Sequence, residues 1–496
     1  MPKYDVVIIG SGLGGLVCGN ILSKEGKKVC ILEKQTQFGG CLQNFKKNNK
    51  SFDTGVHYVG GLNKGQNLYQ YFKYNGIADK LELQRLNIDA FDKINFEGKI
   101  YSFAQGYENF IETLAKDFPE EKSAIKTYAY KMQDICKHFP LYNLRPNVGL
   151  DNEHRFFEQS IGNFIESITQ NKTLQNVLAG NNMLYAGIPD KTPIAIHALI
   201  NNSLIEGAYR FKGGSHHIAD LLIDSIQKNG GTLMNNSEVI KLNVNNNKIE
   251  SAVLSNGDIF EAGHFISAIH PSITLRMTDT KLLRKSYRSR INDLEETMSV
   301  FVVYMDLKPN SFEFLNYNYY HFNEDTVWSI PNYHLKKWPQ EFLFLTLPGN
   351  NQDKYAETAT AMTYMTYDEV KHWEKLKIGK RGDDYEEFKK QKANRLIDQI
   401  NTQFPGLKSS IQNYYTSTPL SMKSYTGTKN GSMYGILHDS NEPLKTKISP
   451  KTKIPNLLLS GQNVNIHGVL GVTIGAVLTC TELLGMEYLI KKINDA

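Results

Sequence analysis

An α/β fold, with a nucleotide domain on a parallel sheet and a mixed α+β second domain, is predicted by three observations in the 496-residue chain. The mostly apolar run Asp5-Val6-Val7-Ile8-Ile9 leads straight into Gly10, Gly12 and Gly15. A second apolar run, Lys28 to Leu32, ends on an acid, Glu33. Far down the chain, residues 205–290 and 421–496 return to strand and helix patterns of the same kind. Strands that alternate with helical patterns argue for a parallel sheet. A sheet fed from separated stretches argues for a discontinuous Rossmann-type domain.

The first unit carries the most chemistry. Gly10 permits the sharp turn out of the strand, Gly12 lets a pyrophosphate approach the backbone, and Gly15 lets the following helix lie close to the strand. Ser11, Leu13 and Gly14 complete the turn, and the helix N-terminus offers unpaired N–H groups and a positive dipole end to phosphate oxygens. Glu33 stands where an acid accepts both ribose hydroxyls and disfavours a 2′-phosphate. After Glu33 and Lys34 a second glycine pair, Gly39-Gly40, followed by Cys41, suits close backbone approach along a long ligand, so FAD is expected rather than NAD. Only one complete dinucleotide fingerprint is present. The flavin's electron donor or acceptor is therefore expected to be transient: NAD(P)H, a quinone or oxygen.

Taken in order, residues 1–65 form the first part of the FAD-binding domain. Residues 66–204 read as the first part of a substrate or cap domain, helical and polar-aromatic, with helices over Tyr107 to Phe118 and Ala124 to Phe139. Residues 205–290 return to the FAD-binding domain. There Ile218, Leu221, Leu222 and Ile226 recur at helical spacing after Gly213-Gly214-Ser215, and Gly230-Gly231 closes the helix. Thr232 to Met234, Val239 to Val244 and Ile249 to Leu254 read as strands of a meander, and Phe265 to Ala268 as another short strand. Residues 291–420 form the rest of the substrate domain, with aromatic and β-branched strands at Ser299 to Leu307, Tyr317 to Phe322, Phe342 to Leu347 and Ala359 to Tyr367. A charged helix, Asp383 to Phe404, follows and stops at Pro405-Gly406. Residues 421–496 return a third time, as a strand from Ile454 to Gly461, a loop, and a final helix from Gly468.

Several of these motifs also carry a resemblance. Glu33-Lys34-Gln35, Gly39-Gly40-Cys41 and Phe52-Asp53-Thr54-Gly55-Val56-His57-Tyr58-Val59-Gly60 are similar to the start of the all-trans-retinol 13,14-reductases, or retinol saturases, within the FAD-dependent phytoene desaturases and carotenoid isomerases. The likeness recurs at Thr192-Pro193 through His197, Glu206-Gly207-Ala208-Tyr209, Gly213-Gly214-Ser215, Tyr425-Thr426-Gly427, Tyr434-Gly435 and Ser460-Gly461-Gln462. It implies an FAD-dependent oxidoreductase acting on a double bond of a retinoid, carotenoid or related polyene. Saturation is the first expectation, and desaturation or cis/trans isomerisation the second. A flavin-bearing lipid-binding protein without turnover is the reading from another class. The resemblance further implies that the strand beginning near Val239 reaches the adenine. It also places Gly461, Gln462 and the backbone of Gly468, Val469, Gly471 and Val472 over the pyrophosphate and the flavin's polar edge. Many members carry Asp where this chain has Gln462. Saturating C=C needs a proton as well as a hydride. His57 leads as the acid because it lies in the loop that the family sets near the flavin, where it also counts as a cofactor contact. Tyr58, His197 and Glu206 follow, and Tyr209 and His467 are weaker alternatives.

Composition bounds the rest. Hydrophobic residues at 41% and charged residues at 22% describe an ordinary globular enzyme. A net charge of +5 without a reader motif argues against nucleic acid. The odd five cysteines show no CxxC pairing and read as free thiols of a reducing, cytoplasmic setting. No secretion signal is visible, and Gly468 to Cys480 is too short for a span and is expected to be a buried helix. The basic stretch Lys281 to Arg290 can lie on anionic lipid, giving a peripheral membrane contact beside a lipophilic substrate's entrance. No metal site is expected, since adjacent His216 and His217 cannot both face one ion from a regular helix.

Overall fold

The strand Tyr4–Ile9 shows no period of two because both of its faces are covered. Val6 and Ile8 pack with Leu16, Val17 and Ile21 of the helix Leu13–Lys24, while Val7 and Ile9 enter a second apolar cluster on the opposite side. The computed structural model of the chain describes residues 4–146, 153–349 and 352–496. In it, Tyr4–Ile9 pairs in parallel with Val29–Leu32 on one side and with Ile259–Ser267 on the other, and Leu457–Leu459 adds a further parallel strand beyond Ile259–Ser267. The first half of Ile259–Ser267 continues as an antiparallel meander with Lys248–Leu254 and Val239–Asn245. Thr232–Met234, expected in that meander, pairs in parallel with Val29–Leu32 instead. Its preceding helix, His216–Lys228, packs on Leu13–Lys24 and delivers the strand to that edge.

A second sheet runs in the order Ile411–Ser417, Ser299–Leu307, Gln352–Met365, Glu341–Gly349, Asn318–Phe322, Asp92–Phe96, Lys99–Phe103. Its last two strands lie in the stretch read as helical. The hairpin's signal was present but short: alternating residues from Asp92 to Phe96 and a two-residue turn, Glu97-Gly98, with both φ angles positive at 52° and 75°. Ser299–Leu307 has clean alternation. Phe301, Val303 and Met305 pack with Leu396, Ile397 and Ile400 of the helix Asp383–Gln403, while Val300, Val302 and Tyr304 face the nucleotide domain. This second face is the one that the site uses.

The closing strand is only three residues long, and the helix Gly468–Leu484 that follows packs on Leu13–Lys24. Gly485, at φ +88°, then turns the chain into one more helix, Met486–Asn494. Among the described residues no helix is long and apolar enough to cross a membrane. All five cysteines are free thiols.

Candidate active site

Three glycines of the first turn have three distinct environments. A Cβ on Gly15 would lie 2.1 Å from the Gly10 carbonyl oxygen, so this position is glycine because the helix touches the strand. Gly10 itself has φ +94°, a left-handed conformation that side chains rarely adopt. Gly12 has an ordinary φ of −61°, and a Cβ there would meet nothing within 4 Å. The room beside it is a slot of about 400 Å³ that also takes in Gly10, Leu13, Gly14 and, across from them, Gly39, Gly40 and Cys41. The closing segment seals it: a Cβ on Gly14 would lie 2.9 Å from the Gly461 backbone, and Gly461, Gln462, Gly468, Val469 and Val472 line the opposite wall.

Glu33, Lys34 and Val239 line one end of the slot and His57 the other. Glu33 is held in place by the Ser11 backbone N–H at 2.9 Å and the Ser11 hydroxyl at 2.7 Å, both donating to Oε2. Ser11 therefore lies beneath the slot, and Gly15 is closed inside the helix contact. Sequence reasoning missed Ser237, Glu238, Ile269, His270 and Arg276, and the turn Tyr425-Thr426-Gly427, all of which line it. Of these only the Tyr-Thr-Gly motif carried a signal, as a recurring likeness without chemistry of its own. An adenine dinucleotide fits this donor set: open space at Gly12 against a helix N-terminus for the phosphates, and a buried carboxylate one strand away for ribose hydroxyls.

A second cavity, about 660 Å³, opens from the slot's far end. Val56, His57, Met362, Tyr434 and Val469 line both. Its wall is largely apolar, with Phe139, Phe157, Leu184, Leu199, Leu343 and Ile466, and Gly471 faces this cavity rather than the slot. Tyr58 and His467 also line it. Burial, reinforced by the Arg210 charge, lowers the His57 pKa to about 4. Burial likewise lowers His467 to about 4, and its Nε2–H donates to the Leu184 carbonyl at 3.1 Å.

Three of the candidates stand elsewhere. His197 lines neither cavity; its ring is locked between the hydroxyls of Tyr128 at 2.5 Å and Tyr185 at 2.7 Å, and burial lowers its pKa to about 3. Glu206 also lines neither, although burial raises its carboxyl pKa, and the Tyr209 hydroxyl donates to Asn63 Oδ1.

Over residues 13–480 the sequence matches the family described as flavin containing amine oxidoreductase. The chain belongs to this family. It is thus an FAD-dependent oxidoreductase. The all-trans-retinol 13,14-reductase of Danio rerio is 26% identical over 97% of this chain and 86% of that protein. Prolycopene isomerase 1 of an Oncidium hybrid cultivar is 23% identical over 87% of the chain and 75% of its own length. Among solved structures, cyclohexylamine oxidase from Brevibacterium oxydans superposes with a TM-score of 0.61 at 13% identity, covering 99% of this chain and 100% of that one. In such flavoproteins the cofactor supplies hydride chemistry at its ring, and the protein supplies orientation and a dry pocket.

Outside both cavities, His216, His217 and Asp220 bring their ligand atoms within 4.8 Å of one another. The spacing argument against a shared ion fails here. At the first turn of His216–Lys228 the two rings lie 4.2 Å apart, rather than projecting on separate faces.

Proposed function

We propose that this flavoprotein reduces a carbon–carbon double bond of a retinoid, carotenoid or related polyene. One observation carries the reading: the slot that fits the cofactor opens, at Val56, His57 and Tyr434, into a mostly apolar cavity of about 660 Å³. That volume lies within the roughly 300–1,000 Å³ of small-molecule sites. An apolar guest there meets the flavin end of the slot, away from water, which is what hydride addition to an unactivated polyene requires. The retinol reductase likeness over nearly the whole chain supports the substrate class.

The test is anaerobic incubation of the chemically reduced holoprotein with all-trans-retinol or a carotenoid, followed by mass analysis. A gain of two hydrogens supports reduction. Unchanged mass with altered retention points to isomerisation, and a loss of two hydrogens by the oxidised protein points to desaturation. Stoichiometric binding with unaltered flavin bands points to a carrier. NAD(P)H, a quinone and oxygen are the electron partners to assay in turn.

Peripheral contact with a cytoplasmic membrane surface belongs to the same proposal. Leu444, 83% exposed, and Lys447 line the mouth of the apolar cavity. Arg290, from the basic stretch, donates to the carbonyls of Lys445 at 2.6 Å and Lys447 at 3.2 Å. This sets basic charge beside an apolar tip, a pairing suited to anionic lipid. Loss of flotation with phosphatidylserine vesicles in Leu444→Glu, with wild-type flavin content, is the expected result.

A further inference from the structure

Reduction of C=C needs a proton for the second carbon, and beside Glu153, Glu158, Lys447 and Glu482 the cavity wall carries several histidines and tyrosines. His57 and His467, both with pKa lowered to about 4, are neutral rather than cationic near neutral pH. Tyr434 and Tyr142 donate their hydroxyls to the carbonyls of Met183 at 3.0 Å and Leu199 at 3.5 Å, groups with no proton to return. Tyr58 differs. Its hydroxyl lies 3.0 Å from Asp92 Oδ2 and 2.6 Å from the Tyr320 hydroxyl, and neither Asp92 nor Tyr320 lines the cavity.

Asp92 is fully enclosed. Asn318 Nδ2 donates to its Oδ1 at 2.8 Å and Asn181 Nδ2 to its Oδ2 at 3.4 Å. Arg210 reaches it only through Asn318, whose Oδ1 accepts from the guanidinium at 2.7 Å. The charged and titratable groups facing this carboxyl are thus Tyr58 from the loop, Tyr320 from its strand and Arg210 from Ala208–Phe211. Burial outweighs these donors and raises its pKa to about 7, so an Asp92 proton is present near neutrality.

We infer that Tyr58 is the proton donor to the substrate, that Asp92 holds the replacement proton behind it, and that Tyr320 fixes the phenol between them. The inference rests on the double-bond reduction proposed above. With reduced FAD providing the hydride to one carbon, the electron pair of the former π bond on the other carbon takes the Tyr58 proton. A C–H bond forms as the phenolic O–H bond breaks. The phenolate takes the proton of neutral Asp92, and the carboxylate left behind is reprotonated from solvent between turnovers. When Asp92 is neutral it donates to Tyr58, which frees the phenol's own hydrogen from the carboxyl. When ionised, it captures that hydrogen. Asp92 is accordingly a positioning and proton-holding residue rather than one touching substrate.

Two measurements on the holoprotein test this. Infrared difference spectra from about pH 5 to about pH 9 read the protonated carboxyl directly, without substrate. A C=O band that is lost as pH rises through about 7 is expected in wild type. That band should be absent in Asp92→Asn and displaced in Tyr58→Phe. Product formation should fall above about pH 7 in wild type, and by about 10²–10⁴-fold in Tyr58→Phe with flavin content and polyene affinity retained. Asp92→Asn should flatten the alkaline limb, and Asp92→Glu should restore it. A band lost near pH 7 with the same amplitude in Asp92→Asn as in wild type, or a Tyr58→Phe protein with wild-type turnover, overturns the inference. A wild-type protein that reduces no polyene yet shows the Asp92 band refutes the reaction assigned above and leaves the carboxyl–phenol unit standing.

Discussion

Gly12 isolates what a single residue contributes to cofactor binding. Alanine tolerates its φ of −61° and would clash with nothing in the protein, so Gly12→Ala is expected to keep its denaturation midpoint within about 1 kcal/mol of wild type. It should nevertheless come out depleted of flavin absorbance, because the added methyl occupies the phosphate's place. Gly15→Ala is the contrast, since its methyl would overlap the Gly10 carbonyl and destabilise the fold itself. Buried titratable groups set a second residue-scale expectation. His57, His438 and His467, with pKa lowered to about 4, and His197, at about 3, favour the neutral form in the folded state. Their contribution is full above about 6.5 and is lost as pH falls through 4. Asp92 and Asp53, raised to about 7 and about 6, have the opposite sign: their contribution is full below about 3.8 and is lost as pH rises through 6 to 7. Urea midpoints against pH should therefore fall steeply on the acid side in wild type, and Asp92→Asn should remove only the opposing loss that Asp92 causes between about pH 4 and about pH 7.

At the level of elements, two helices converge on the same strand end. Leu13–Lys24 borders the slot on one side and Gly468–Leu484 on the other, with Cys18 Sγ lying 3.6 Å from the Ala476 carbonyl at their contact. Ala476 is fully buried there, so Ala476→Leu overpacks the interface. Such insertions cost about 1–3 kcal/mol. The expected outcome is a lower unfolding midpoint together with faster FAD release in stopped-flow, since both helices border the slot. The strand Ser299–Leu307 shows the sheet counterpart: its even positions Val300 and Val302 reach the slot, and its odd positions build the outer core.

For the molecule as a whole, the slot joins segments near residues 10–14, 33–41, 54–57, 237–239, 268–276, 422–434 and 460–472. A ligand bridging so many pieces stabilises the assembled state alone. FAD at about 100 times its dissociation constant should add about 2.7 kcal/mol to the free energy of unfolding, seen as a concentration-dependent rise in melting temperature after deflavination. Two sheets meet across this slot, one mostly parallel and one mostly antiparallel.

Local chemistry was legible in the sequence. A glycine turn, an acid after a strand, runs of aromatic and β-branched residues and helical apolar spacing are short-range constraints, and they announced the nucleotide unit, the strand Ser299–Leu307 and the helix Asp383–Gln403. The hairpin Asp92–Phe103 escaped because two short strands among helical patterns resemble noise until a distant partner, Asn318–Phe322, pairs with them. That same pairing sets Asp92 beside Tyr58 and Tyr320, residues separated by 34 and 262 positions between bonded partners. Sequence alone determined the glycine turn after the first strand and the acid after the second, because the backbone conformations involved are local. Tertiary structure alone decided which acid stands behind the apolar cavity, because burial and proximity depend on segments that only the folded chain brings together.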